Sequence, residues 1–483
     1  MENLFRNIHI KKEVYLSFLA AVALGILVLY LGKYTLGIIL APIGLYFIIK
    51  IKPSPNTALV IIGLLLYVNI LKPLGMYQIV SSLVDLLVLT VILKYCVTVG
   101  IKNEQFKWII IASGFLFVSF FEIFNPNIPS FEAGLQGFRK TSFAFMLFYI
   151  GIFKFKEARK VKEFLIKFSI LTLPLLLYGI KQSIFISEID RLYLFVNSAD
   201  TWTGTLFGET RATSVFSGPF HFGMFSAILA VINLFLMEVV NKKRYQLIFL
   251  LFFFVSFLAC NSSLTRTNLV ALVGAIIAYK LIQMKIKSIL ILLPIITGSL
   301  IAVYYLIVSN TYFLLSSNNQ ILRMIGTISN IDNDSRFEGR SQGWESILNL
   351  VAKNPLLAYG TGSSGDTLNT VYDFQYHVTS HNVFLKILME TGVIGLAMFA
   401  SLFIGISLLF LKKVLNKETT LIKKVYACCF AVMVVFFING LVGSALDTYP
   451  ISSIVLLFMG IGVTNLTNEE NITNRLDSRL EGL

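Results

Sequence analysis

The sequence predicts an all-α, polytopic integral membrane protein with about 12–14 transmembrane helices and a long external loop that carries an amphipathic helix. Three observations predict it. Hydrophobic residues make up 56% of the chain and charged residues only 14%, where a soluble domain carries about 25% charged residues. A chain this apolar cannot cover itself with polar groups, so lipid must solvate most of it. The apolar runs are continuous rather than alternating, which fits helices and not a barrel. Finally, Lys and Arg concentrate on one set of connecting segments, as the positive-inside rule expects of a multi-pass protein.

Runs long enough to approach the 30 Å or so of bilayer hydrocarbon fall at 14–32, 35–49, 58–71, 79–99, 108–125, 141–153, 164–180, 219–240, 246–260, 267–284, 288–308, 383–411, 425–445 and 450–464. The basic segment Met1–Glu13 precedes a full-length apolar run with no small-residue cleavage site. It therefore reads as the approach to a first span rather than a signal peptide. With both termini in the cytoplasm, the densest basic stretches, Lys154 to Lys167, Asn241 to Arg244 and Lys412 to Lys424, face inward. The net charge of +14 is then mostly a topology signal, and no nucleic-acid partner is expected. The predicted organisation is a transmembrane block at 1–308 with a shorter external segment at 181–218. A long external loop follows at 309–380, then C-terminal spans at 381–464 and a cytoplasmic tail at 465–483. The cysteines, Cys96, Cys260, Cys428 and Cys429, lie in or at the ends of apolar runs without metal-ligand spacing and read as small hydrophobes.

Arginine is distributed unlike lysine. Arg139, Arg191, Arg211, Arg266, Arg323, Arg336 and Arg340 fall on the predicted external side. Topogenesis needs positive charge but not a guanidinium. The planar fork suits phosphate or carboxylate, although salt bridges to Glu209 or Asp334 are an alternative for any one of them. In the long loop, Trp344, Ile347, Leu350 and Val351 recur at helical spacing within Ser341–Lys353, so this segment reads as an amphipathic helix on the membrane face. Asn354-Pro355 ends it, and the glycine-rich run Tyr359–Gly365 requires a flexible or tightly turned backbone.

His221, His377 and His381 also fall on the external side. His377 and His381 are four apart, as helical zinc ligands are, but no acidic residue or third ligand accompanies them, so no metal and no cofactor is expected. Asp366, Asp373 and Glu390 are alternative bases that also read as loop or cap residues. Asp85, inside a span, either pairs with a cation or lines a cavity.

The stretch His381-Asn382, nine residues, then Gly392-x-x-Gly395 resembles the signature of the O-antigen polymerase and O-antigen ligase family of membrane glycosyltransferases. Asn354-Pro-Leu-Leu-Ala-Tyr-Gly-Thr-Gly-Ser363, Thr265-Arg266-Thr-Asn-Leu-Val-Ala-Leu272 and Arg211-Ala-Thr-Ser-Val-Phe-Ser-Gly-Pro-Phe220 are similar to its other motifs, so the resemblance covers about residues 205–410. It implies a saccharide donor and acceptor on undecaprenyl pyrophosphate, used at the outer face of the cytoplasmic membrane. The implied product is a capsular or O-antigen-like polymer, with a chain-length regulator and a flippase as candidate partners. On that reading Arg211 and Arg266 hold pyrophosphate and stabilise the leaving group. His381 takes the acceptor's proton or binds pyrophosphate itself. Arg139, Arg191, Arg340, His377 and Asn382 are candidate substrate contacts. The ligase branch and a lipid-linked-saccharide flippase are the rival expectations. The absence of a repeated half and the position of the arginines at the membrane edge weigh against the flippase.

Overall fold

The computed structural model describes residues 54–72, 75–98, 103–191, 205–206, 209–284, 286–317, 320–326, 335–367, 372–416, 420–448 and 450–467. The spans expected at 14–32 and 35–49 and the tail from 468 lie outside them. The fold is all-α. In order, the helices are α1 (Pro55–Tyr67), α2 (Tyr77–Thr98), α3 (Asn103–Phe121), α4 (Phe131–Ser142), α5 (Met146–Lys154), α6 (Ala158–Ile184), α7 (Pro219–Val239) and α8 (Lys243–Ser262). After these come α9 (Arg266–Leu281), α10 (Ile286–Ser309), α11 (Thr311–Ser316), α12 (Gln320–Gly326), α13 (Ser335–Lys353), α14 (Val383–Asn416), α15 (Thr420–Val442) and α16 (Ile451–Val463). The strands described are two-residue pieces, β1 (Thr205–Leu206) and β2 (Glu209–Thr210), paired antiparallel.

Among the described residues, seven helices are long and apolar enough to cross a membrane: α3 with its short extension, α6, α7, α8, α10, α14 and α15. The chain is therefore a multi-pass membrane protein. Each of the other expected spans within the described residues also falls on helix, but some are shorter than expected. The run at 141–153 becomes a 3-10 turn, Phe143–Phe145, followed by the nine-residue α5. Alone, nine residues rise only about 14 Å. α5 is instead pressed against α16 through Gly151 and Gly460, where added side chains would strike Leu457 O and Phe148 O respectively. Small residues let membrane helices approach this closely.

α7 forms the axis, packing on α6, α8, α9, α15 and α16. It starts cleanly, with Gly218 as N-cap and Pro219 in its first turn, where the missing N–H costs nothing. Inside, Ser169 Oγ donates to Asn233 Oδ1, and Asn233 Nδ2 donates to Ser256 Oγ at 3.1 Å, tying α6, α7 and α8 together.

The run expected as one span at 383–411 is helical but broken. Gly392 has φ +65°, and a Cβ there would collide with Leu356 O. The interruption admits the turn after α13: Val393 N donates to Pro355 O at 2.9 Å, and Tyr359 N to Met389 O at 3.1 Å. The amphipathic helix α13 begins earlier than Ser341 and ends at Lys353, before the expected Asn-Pro stop. Its apolar side lies against protein: Ile347 and Val351 are buried with Ala358, Tyr359, Leu388 and Met389.

Candidate functional site

The functional motifs converge at one end of the helical body, around the N-termini of α7, α9 and α14. The segment Ala358–Thr367 folds into a tight turn rather than a flexible loop. Gly360 and Gly362 have φ of +88° and +92°. The turn lies on α4, because Gly137 leaves room for it: a Cβ there would meet Gly362 N at 2.5 Å. Thr361 Oγ1 donates to Gly134 O at 3.2 Å, and Lys140 Nζ donates to Thr367 O at 2.7 Å.

This turn carries Asp366, whose carboxylate faces His381. The His381 N–H lies 3.1 Å from both carboxylate oxygens, and its Nδ1 lies 3.3 Å from Oδ1. Ser380 adds its backbone N–H and its hydroxyl, each at 2.7 Å from Oδ2. Burial alone would raise the Asp366 pKa, but the hydrogen bonds from His381 and Ser380 hold it well below the usual carboxylate range. The Asp366 side chain is 1% exposed and that of His381 52%, so the carboxylate is enclosed while the imidazole reaches out. A carboxylate on Nδ1 fixes the tautomer in which Nε2 is the free acceptor. His381 is held at φ +48°, a conformation that costs a non-glycine residue about 1 kcal/mol or more. The segment is pinned by Trp344 of α13, whose indole N–H donates to Ser380 O at 2.7 Å. Asn382 is the N-cap of α14: its Oδ1 accepts from Phe384 N at 2.9 Å and Leu385 N at 3.1 Å, and its amide donates to Leu441 O at 3.0 Å.

Directly below the dyad lies a buried charge network. Lys386 and Glu390, both 0% exposed, lie 4.0 Å apart on α14. Lys386 pairs with Asp447 and donates to Thr141 Oγ1 at 2.8 Å. Glu390 accepts from Thr141 at 2.9 Å and from the Thr367 hydroxyl. Glu390 is thus neither loop nor cap. It links α14 to α4 and to the turn that bears Asp366. The sequence carried a signal for this that went unused: a Lys and a Glu four apart inside an apolar run are costly unless satisfied.

The arginines stand at the neighbouring helix mouths. Arg211 Nη2 donates to Thr265 Oγ1 at 2.9 Å and its Nε to Ser263 O at 3.3 Å. Thr265 is the N-cap of α9 and Arg266 the first residue of that helix, so the two arginines sit at one corner. That corner joins α7 through Asn268, whose amide donates to Phe220 O at 3.0 Å. Arg139, near the end of α4, pairs with Asp85 at 2.5 Å, which resolves Asp85 as the partner of a cation. The remaining candidates lie elsewhere or act structurally. Arg191 makes an exposed pair with Glu188 at 3.3 Å. His377 stacks on Phe374 with centroids 5.7 Å apart. Arg340 lies half-exposed on α13, and Asp373 is exposed. The four non-glycine residues with positive φ among those described are Ser214, Leu264, Ala358 and His381. Ser214 and Leu264 lie within three residues of Arg211 and Arg266, His381 is one member of the pair with Asp366, and Ala358 opens the turn that carries Asp366; backbone strain of this kind clusters at functional sites.

No curated protein matches the chain. Residues 250–400 match the family model described as O-antigen ligase, a stretch that includes Arg266, the Asp366 turn and the whole His381–Gly395 motif. The chain is thus a multi-pass membrane protein in which residues 250–400 are similar to the O-antigen ligase family.

Proposed function

We propose that this chain is a bacterial cell-surface polysaccharide polymerase. It joins oligosaccharide repeat units carried on undecaprenyl pyrophosphate by inverting, metal-independent glycosyl transfer at the outer face of the cytoplasmic membrane. The observation that carries the reading is the enclosed Asp366 carboxylate on Nδ1 of an accessible His381. The free Nε2 takes the proton of the acceptor sugar hydroxyl as that oxygen attacks the anomeric carbon of the donor. The bond from that carbon to the phosphate oxygen breaks, and the undecaprenyl pyrophosphate leaves with the bonding pair. Direct displacement inverts the anomeric centre. Arg211 and Arg266 sit together at the mouth of α9, where two guanidinium groups can hold the diphosphate and neutralise the charge that grows on it. Asp366 orients the imidazole and stabilises its protonated form.

The matched family description, O-antigen ligase, favours a second reading in which a finished glycan passes to a different acceptor by the same chemistry. The product separates the two. Purified chain reconstituted with a lipid-linked repeat unit yields a ladder of lengths if it is a polymerase and a single transfer if it is a ligase. His381→Ala and Arg266→Ala are expected to abolish either product while still inserting into the membrane. Unchanged product from His381→Ala overturns its role as base.

A further inference from the structure

The backbone of His381 is held on both sides. The peptide that joins Ser380 to His381 is gripped at its two polar ends. Its N–H donates to Asp366, 3.1 Å from each oxygen, and its carbonyl accepts from the Trp344 indole at 2.7 Å. The carbonyl and N–H of a trans peptide point in opposite directions, so carboxylate and indole hold this plane from opposite edges. The next peptide is tied back through Asn382 N, which donates to Ser380 Oγ at 3.0 Å. With both planes fixed, φ and ψ of His381 are fixed too, and the residue stays at φ +48°, where residues other than glycine rarely rest. The direction of the imidazole follows from those angles.

Asp366, Ser380 and Asn382 belong to the turn and the motif already described. Trp344 does not. It comes from α13, where the sequence places it in an apolar stripe on the membrane face. In the structure it is half-buried, with its polar edge turned toward the site. The residue before it brings α13 close: Gly343 is buried, and a Cβ there would meet Thr379 O at 2.5 Å. On the far side, Gly365 N donates to Val378 O at 3.0 Å. Val378–Ser380 therefore lies between α13 and the Asp366 turn. Ile347 and Val351 of α13 pack with Leu388 and Met389 of α14, which seats α13 against the helix that starts two residues after His381. A hydrogen bond to a peptide carbonyl also polarises the peptide and strengthens donation from its N–H. The Trp344 bond thus tightens the contact between His381 N and Asp366.

We propose that Trp344 is a positioning residue for glycosyl transfer: by holding the Ser380–His381 peptide, its indole N–H sets the direction in which the His381 imidazole meets the acceptor hydroxyl. This rests on His381 acting as the base, as in the reading above. It goes beyond that reading by drawing α13, outside the histidine motif, into the catalytic geometry.

The test reads the imidazole separately from turnover. Full-length chain with nitrogen-labelled histidine is reconstituted in nanodiscs and examined by solid-state NMR in alkaline buffer, where an imidazole is neutral. The His381 ring signals are identified by their loss in His381→Gln. The wild type is expected to show one tautomer, with Nδ1 protonated and Nε2 bare. Trp344→Phe keeps an aromatic ring but removes the N–H, and it should show a mixture of tautomers. Its kcat per folded molecule should fall about tenfold, the scale of one lost hydrogen bond that orients a catalytic group, with KM for the lipid-linked unit unchanged. Replacing Trp344 by benzothienylalanine, which keeps the shape of indole and puts sulfur in place of the N–H, should reproduce both changes. It also stands in for Trp344→Phe if that variant does not fold. Wild-type signals and kcat with benzothienylalanine would reduce Trp344 to a packing residue and overturn the proposal. A raised KM with unchanged kcat would make it a substrate contact and overturn it as well. Glu345→Gln, on the exposed side of the same helix, should match the wild type in both measurements. If the wild type forms no glycosidic bond from any lipid-linked unit, the enzyme reading falls while the ring signals still decide the clamp. If product forms and the ring signals of wild type and both variants coincide, the clamp falls and the reading stands.

Discussion

α7 and α10 are both long, strongly apolar helices, yet they occupy opposite environments. In α7, 89% of the apolar window is buried inside the protein, whereas in α10 none of it is. Hydropathy does not separate them; side-chain shape and polarity do. α7 carries Gly223, Ser226 and Asn233, and each is used. Gly223 admits the Asn268 and Ser263 side chains, Ser226 donates to Phe222 O at 2.8 Å, and Asn233 bonds to both neighbouring helices. α10 presents Leu290, Ile291, Leu300, Ile301 and Tyr305 outward, and its Gly298 has nothing within 4 Å of an added Cβ. In lipid there is no hydrophobic drive to bring apolar helices together. Small residues and buried hydrogen bonds therefore decide which span becomes interior.

That contrast can be broken at graded strengths. The largest effect is expected from Lys386→Met, at the interior end of α14, which strands Asp447 and Glu390 without their cation. Breaking a buried pair from one side costs about 3–5 kcal/mol, to be read as lost thermal stability in detergent. Gly223→Val comes next. Its side chain would occupy the space of Asn268, an overpacking cost of about 3 kcal/mol, whereas a valine at Gly298 of α10 should insert and melt like the wild type.

Asp366→Asn is expected to cost about 2 kcal/mol at neutral pH, since charge-assisted hydrogen bonds are worth roughly 1.5–3 kcal/mol. Because the folded pKa is depressed, the carboxylate's contribution is complete above the unfolded value of about 3.9 and disappears as pH falls through the lower folded value. The melting temperatures of wild type and variant should converge only on acidification; a gap that stays constant into strong acid would contradict the assignment. Asn233→Ala should cost about 1 kcal/mol, the usual worth of such bonds between membrane helices. Smallest of all, Gly298→Ala in α10 should change stability by less than about 0.5 kcal/mol, and a larger loss would mean that α10 has a packing partner.

The same division runs through the site. His381, Arg211 and Arg266 were legible in the sequence because they sit in recognisable local patterns at helix mouths. Gly392 was visible as part of a motif, but its reason was not: the oxygen it must avoid belongs to Leu356, brought there by the fold. Asp366 read as one of three equivalent acids because nothing local distinguishes it from Asp373. Only the turn over α4 buries one and leaves the other in water. Asn382, expected to touch substrate, is instead occupied in capping α14. Lys140 was plain in the chain, yet it gains meaning only from Thr367, far along the sequence, whose carbonyl it holds.

The sequence by itself determined that the chain lives in a membrane, roughly where it crosses, and which short patterns mark the candidate site. Each of these depends on hydropathy or residue pattern within a short window, and transfer into lipid is a nearly additive property of such a window. Tertiary structure alone decided which helix is the axis, which acid lies against the histidine, and which carboxylates meet the buried Lys386. Those outcomes depend on close approach between segments distant along the chain, where one glycine or one buried carboxylate outweighs the average character of a whole span.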